Sequence, residues 1–453
     1  MIKTIEHFFE SAASFVWGPP LLVLLLGGGA FFMIYSGFLP FRYLGHAINV
    51  LRGKFDDKDD PGQINHFQAL SGALAATIGM GNISGVAVAI ATGGPGAIFW
   101  MWVSAFLGMA TKFFTCSLSV MYRGKDSNGE IQGGPMYFIQ EGLGKKWMPL
   151  AIFFAVVGSF GATPVFQTHQ TIDAIKDVVL IPNGIAAESF YLNLSIGTII
   201  SIIVALVIFG GITRIGSVAA KLVPSMVVLY VGSIILILIL NISEVIPSLA
   251  LILKDAFTAD AALGGALGAL IITGARRAAF SNEAGIGTAP MMHGAAKTKE
   301  PIREGLVAML GPAIDTLIIC TMTGLCILVT GAWELKGLNG ITLTAKAFEI
   351  SLPFVGPYIL LICVLIFAIT TIFGLAYYGK KCFSYLVGPK FGSYFNYWYV
   401  ALVLVASVSS LQAIISFIDL AYGLMAFPTM VGAILLAPKV KAAAKVYFGN
   451  LKN

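Results

Sequence analysis

The sequence predicts an all-α membrane protein of about eleven transmembrane helices: two inverted repeats of five, each opened by a broken helix, with one extra helix in front. Three observations carry that expectation. Of 453 residues, 57% are hydrophobic and only 11% are charged, against about 25% charged in soluble domains. Apolar runs of the roughly 20 residues needed to cross about 30 Å of hydrocarbon recur along the whole chain. Lys and Arg, finally, fall overwhelmingly on one side of the topology those runs define.

The expected spans lie near 18–39, 66–91, 96–121, 148–172, 193–210, 215–240, 262–292, 305–331, 354–378, 394–411 and 412–437, with Gly93-Gly94-Pro95-Gly96 and Gly210-Gly211 marking two of the joints. Ahead of them Ile2, Ile5, Phe8, Phe9, Ala12, Ala13 and Val16 recur at helical spacing. Residues 1–17 therefore read as an amphipathic helix lying in the interface, or else as a frayed terminus. Glu6 and Glu10 stand where a cleavable signal peptide would carry basic residues. With the N-terminus outside, twenty Lys and Arg fall on the inner side and five on the outer, leaving aside Lys112, Arg276 and Arg277 within spans. The expected orientation in the cell membrane is N-terminus out and C-terminus in, with 438–453 as a cytoplasmic tail. A net charge of +6 spread over loops forms no nucleic-acid-binding stripe. Cys116, Cys320, Cys326, Cys363 and Cys382 are odd in number and show no ligand spacing. No feature points to an obligate protein partner.

Two spans depart from plain apolar helix. Thr77-Ile78-Gly79-Met80-Gly81-Asn82 places two glycines and an amide near the bilayer midplane, a poor helix centre. Close helix packing is the bland explanation of the glycines. Asn82 favours a break, because a buried amide needs partners. The segment before it, 69–76, overlays 262–269 with six of eight positions identical. In that register the second break falls at Ile272-Thr273-Gly274-Ala275. The repeats then run 66–240 and 262–437, with 18–39 outside them. Five helices per repeat is odd, so the second enters from the opposite face. Paired broken helices around a midplane site are the plan of secondary transporters, because irregular backbone at that depth must line a cavity or be buried in protein.

The run Gly93-Gly94-Pro95-Gly96-Ala97-Ile98-Phe99-Trp100-Met101-Trp102-Val103-Ser104-Ala105-Phe106-Leu107-Gly108 resembles the signature of the alanine/glycine:cation symporter family (sodium:alanine symporters). Phe280-Ser281-Asn282-Glu283-Ala284-Gly285-Ile286-Gly287-Thr288-Ala289-Pro290 resembles that family too. The resemblance covers essentially the whole chain. It implies a LeuT-type inverted-repeat fold within the amino-acid/polyamine/organocation transporter group, and symport of alanine or glycine with Na⁺, or with H⁺ in some members.

A zwitterion held at the midplane needs donors for its carboxylate and acceptors for its ammonium. Free N–H groups at the start of the outer half-helix suit the carboxylate at Met80-Gly81-Asn82, with Gly79 and Gly81 allowing close approach and Thr77 adding a hydroxyl. Carbonyls freed at the second break, near Ile272, Thr273 and Gly274, suit the ammonium. Thr370-Thr371 can supply hydroxyls to a hard cation, or simply bond their own helix. The LeuT-type resemblance implies a Na⁺ site of Ala75, Ile78, Phe367, Thr370 and Thr371. Gln170 is expected to face the pocket and Phe166 to wall it, or both to serve interhelix packing; Met80 and Phe367 can fill space beside them. Arg276, Arg277, Glu283 and Asp315 read as a bracing cluster in the inner half or as an inner gate, Asp419 as part of an outer gate or merely paired, and Lys112 as snorkelling inward.

A channel would want a continuous polar pore, whereas polar groups here cluster at two breaks. An enzyme would want a nucleophile–base pair or an HExxH motif, and the spans hold neither. Proton coupling, and a non-transporting amino-acid sensor on the same fold, are the remaining alternatives.

Overall fold

The computed structural model describes residues 2–57, 59–185, 189–257, 266–408 and 412–451, and the side chains among them except those of 2–6, 266–267 and 412–415. Part of the 262–269 overlay, and the ends of spans 262–292 and 394–411, lie outside these residues.

Helix α1 (Ile2–Val16) turns by 43° into α2 (Pro19–Tyr35). The first broken helix follows as α3 (His66–Thr77) and α4 (Gly81–Gly93), which meet at 56°. Then come α5 (Ala97–Met121), α6 (Lys145–Leu180), α7 (Phe190–Ile208) and α8 (Gly211–Leu240). The second broken helix is α9 (Ala266–Asn282) and α10 (Thr288–His293). The series ends with α11 (Pro301–Val329), α12 (Gly356–Val387), α13 (Pro389–Val408) and α14 (Gln412–Asn450). Among the described residues eight helices are long and apolar enough to span a membrane, or ten with the bent pairs at α1–α2 and α3–α4. Eleven were expected; the 17 described residues of α9 are too few to qualify alone. Residues 438–450, expected as a tail, continue α14 as helix through Pro438.

The connections hold elements that hydropathy does not reveal: short helices Leu44–Leu51, Pro135–Leu143, Ile242–Asp255 and Ile341–Ser351, and a hairpin of β1 (Gly124–Lys125) and β2 (Ile131–Gln132). α5 packs on α9 and α11, and α12 on α3, α6 and α8. Small residues let the helices close on one another. At Gly274 a Cβ would lie 2.6 Å from Trp100 Cβ and 2.7 Å from the Ala97 carbonyl oxygen.

At the Lys/Arg-rich end, the strands of chain that enter α3 and leave α10 are zipped together. Gln63 N–H donates to Ala295 O at 2.8 Å and Lys297 N–H to Ile64 O at 2.7 Å, as a parallel bridge between Ile64 and Ala296. Arg123 forks onto the carbonyls of Gly294, Thr298, Pro61 and Ala296. The buried Glu304 carboxylate on α11 takes Nδ1 of both His66 and His293. The half-helices α3 and α10 are thereby tied together at this end.

Candidate substrate and cation site

The first break lies at Ile78–Met80, where the sequence expects it. Ile78 adopts φ −72°, ψ 98°, so the carbonyls of the last turn of α3 lose their helical partners. Asn82, 0% exposed, holds the break in shape. Its Oδ1 accepts from Gly79 N–H at 3.0 Å, and its Nδ2 donates to Asp315 Oδ1 at 2.8 Å and to the Asp315 backbone carbonyl at 3.1 Å. Asp315 on α11 also accepts from Ser281 at 2.8 Å and from Thr316 at 2.7 Å. One carboxylate therefore joins the first break to the end of α9. Thr77 donates to Ala73 O at 3.1 Å and Leu74 O at 3.4 Å in its own helix.

The second break is not at 272–275. Helix α9 runs unbroken through Ile272, Thr273 and Gly274, and the last two pack against the α4–α5 corner: Thr273 Cγ2 lies 3.3 Å from where a Cβ would stand on Gly93. The interruption comes at 283–287. Glu283, Gly285 and Gly287 adopt φ of 53°, 88° and 105° there, and Asn282 Oδ1 accepts from Ala284 N–H at 2.9 Å. Left-handed backbone at three alternate positions cannot continue a helix, and at Gly287 a Cβ would fall 2.3 Å from Thr429 Oγ1. Gly274 serves helix contact, so the likeness of 69–76 to 262–269 does not extend to the position of the break. The Gly-x-Gly at 285–287 was the better signal.

The two breaks meet at Gly81. A Cβ there would stand 3.3 Å from Ser281 Cα and 3.7 Å from the Phe280 carbonyl oxygen, in the last turn of α9. Beside it a cavity of about 430 Å³ is lined by Met80, Phe166, Gln170, Arg277, Phe280 and Asp419, among others. Phe166 and Phe280 stand edge to face at 6.1 Å and Phe280 and Tyr422 at 5.9 Å, an aromatic layer over the breaks. The Phe367 ring is absent from this lining: it is fully buried, 5.4 Å from Tyr230.

Thr371 on α12 reaches the opposite side of the first break. Its hydroxyl donates to Ala75 O at 3.2 Å, and a Cβ on Gly79 would come within 2.6 Å of the Thr371 hydroxyl oxygen. Thr370 donates to Ile366 O at 2.9 Å and to Phe367 O at 3.0 Å in its own helix. The Thr371 hydroxyl and the Ala75 carbonyl thus lie together beside Gly79, oxygens of the kind a hard monovalent cation takes.

The other intramembrane charges do not form the inner cluster that the sequence suggested. Arg276 is ion-paired to Asp419 and lies 5.6 Å from the centroid of the Trp17 ring. Trp17 in turn donates to the Asp419 carbonyl at 2.7 Å. Glu283 accepts from Thr288 and, at 3.2 Å, from Tyr422. Lys112 is 2% exposed against Gly311 and does not reach the surface. Spacing along the chain gave no sign of these pairings.

The family model described as the sodium:alanine symporter family matches residues 2–453. A sodium/alanine symporter, AgcS, of Methanococcus maripaludis is 41% identical, over 97% of this chain and 96% of that protein. A probable sodium/glutamine symporter, GlnT, of Bacillus subtilis is 36% identical, over 99% of this chain and 91% of that one. The crystal structure of MhsT in complex with L-phenylalanine superposes with a TM-score of 0.57 at 14% identity, covering 83% of this chain and 89% of that chain. This is the likeness of a shared LeuT-type fold. Helix breaks and whole-length match agree: the chain belongs to the sodium:alanine symporter family, multi-pass membrane transporters rather than enzymes, with Na⁺ as the coupling ion of alanine symport.

Proposed function

We propose that the two breaks form one site for a small neutral amino acid, alanine or glycine, moved together with Na⁺ by alternating access. The observation that carries this reading is the Thr371–Ala75 contact beside Gly79, which brings a scaffold hydroxyl to the freed end of α3. Na⁺ sits among the carbonyls of Ala75, Ile78 and Phe367 and the hydroxyls of Thr370 and Thr371. The substrate carboxylate meets the N–H groups that open α4 at Met80-Gly81, with Asn82 fixing their direction through Gly79 and Asp315. Its ammonium meets carbonyls in the last turn of α9, Phe280 to Asn282, in place of Ile272, Thr273 and Gly274. Thr77 backs the inner side, and Phe166, Gln170 and Met80 close the outer side. Arg276 with Asp419, under Trp17, is the outer gate.

The repeats are 66–240 and 262–437, each opening on a broken helix, and the N-terminus lies outside. The bias of twenty basic residues against five supports that orientation. Glycine lacks only the methyl of alanine, so a site shaped by Gly79 and Gly81 accepts both; no protein partner is needed for the cycle. The test is counterflow of labelled alanine in proteoliposomes with Na⁺ and pH gradients imposed separately. Counterflow driven by an inward Na⁺ gradient at symmetric pH supports the reading, and counterflow driven only by a pH gradient overturns it in favour of proton coupling.

A further inference from the structure

Lys381, near the inner end of α12, is buried with only neutral hydrogen-bond partners among the described residues. It is 5% exposed, and its ammonium donates to the Tyr377 hydroxyl at 2.8 Å and to the carbonyl of Met291, on α10, at 3.3 Å. Both acceptors are neutral. Among the described residues no carboxylate lies within 4.0 Å of it, whereas Arg276 has Asp419 and Lys299 has Asp60. Charges withdrawn from water are normally paired, because neutral dipoles replace hydration only in part. The tie to Met291 also joins α12 to the tied half-helices α3 and α10.

Lys381 lines a cavity of about 400 Å³ at the Lys/Arg-rich end. Lys380 and Tyr377 stand with it on α12, and Asp126 and Glu130 come from the hairpin. Asp126 is largely engaged in its own turn, accepting from Asn128 N–H, Glu130 N–H and Gln132 Nε2. Among the described residues the Glu130 carboxylate accepts only a long 3.3 Å bond from Gln63, and the residue is exposed. The cavity thus has a cationic wall and an anionic wall, and a zwitterion is the ligand that satisfies both.

We infer that this cavity is an exit subsite for the transported amino acid, in which Lys381 takes the carboxylate and Glu130 and Asp126 face the ammonium. The inference rests on the symport reading above. A charge-assisted hydrogen bond is about twice as strong as a neutral one, so an arriving carboxylate displaces the Met291 carbonyl from the Lys381 ammonium. One tie between α12 and α10 then loosens when substrate reaches the inner side, while the Tyr377 hydroxyl keeps its 3.4 Å bond to the same Met291 carbonyl. Lys381 is a binding residue of the exit path and takes no part in the midplane site.

The test compares the two faces of the full-length protein in sidedness-sorted proteoliposomes, using L-alanine itself as probe. Lys381→Gln should raise the half-saturating alanine concentration at the inner face about tenfold, the loss of one charged contact, while the outer-face value and the Na⁺ dependence stay as in the wild type. Lys381→Arg should restore the inner value. Ethylamine, which lacks the carboxylate, should fail to inhibit from inside. A purely structural cap on α10 predicts equal changes at both faces, and that result, or an unchanged inner value in monodisperse protein, overturns the subsite. Should Lys381→Gln fail size exclusion, Glu130→Gln at the exposed wall carries the test: a raised inner value supports the subsite and an unchanged one overturns it. Absence of Na⁺-driven uptake in the wild type would instead sink the symport reading.

Discussion

Replacing Asn82 with alanine removes a side chain whose polar atoms are all engaged. Oδ1 holds the Gly79 N–H at 3.0 Å, and Nδ2 holds Asp315 Oδ1 at 2.8 Å. The substitution strands a buried backbone donor and takes one of three side-chain donors from a carboxylate that is 0% exposed, leaving Ser281 and Thr316. An orphaned buried donor costs about 1–3 kcal/mol, and a hydrogen bond to a charged group contributes about 1.5–3 kcal/mol. The contacts of α5 with α9 and α11 are untouched, so the loss falls on the geometry of the break. If about 3 kcal/mol reaches the bound state, alanine affinity drops roughly 100-fold, at about 1.4 kcal/mol per decade. Binding of labelled alanine to purified Asn82→Ala in saturating Na⁺, with size exclusion and a thermal melt alongside, measures this. Wild-type affinity in a monodisperse variant would refute both the role of Asn82 and the placement of the carboxylate at the first break.

Thr371→Ala removes the hydroxyl that meets Ala75 O at 3.2 Å. It should raise the Na⁺ concentration for half-maximal uptake about tenfold while alanine affinity at saturating Na⁺ changes less; an unmoved Na⁺ titration would make the threonine structural. Gly274→Ala places a Cβ against Trp100 and the Ala97 backbone, an overpacking worth about 1–3 kcal/mol. Its melting temperature should fall with the half-saturating alanine concentration unchanged; a selective loss of affinity would return 272–274 to the binding site. In competition against labelled L-alanine, glycine should inhibit strongly, serine weakly, leucine and phenylalanine not at all, and D-alanine much as the L-form does, because each added carbon overpacks a site framed by Gly79 and Gly81. Strong inhibition by leucine would show a larger pocket than the glycines frame.

Much of this protein was legible without coordinates, because lipid imposes local rules. Hydropathy places most of the spans, and two glycines beside an amide mark the break at Ile78–Met80. What repeats locally can be read locally. The second break was misplaced because a glycine serves either backbone freedom or close packing: Gly274 meets Trp100 while Gly285 and Gly287 carry positive φ. Spacing alone does not separate those uses. The continuation of α14 to Asn450 was missed because an amphipathic end lacks the hydropathy of a span. The polar pairings were out of reach for another reason. Asn82 meets Asp315 across 233 positions, Thr371 meets Ala75 across 296, and Lys381 meets Met291 across 90. A buried polar group must find a partner, and the sequence establishes that need; only the packing of distant helices decides which partner it finds.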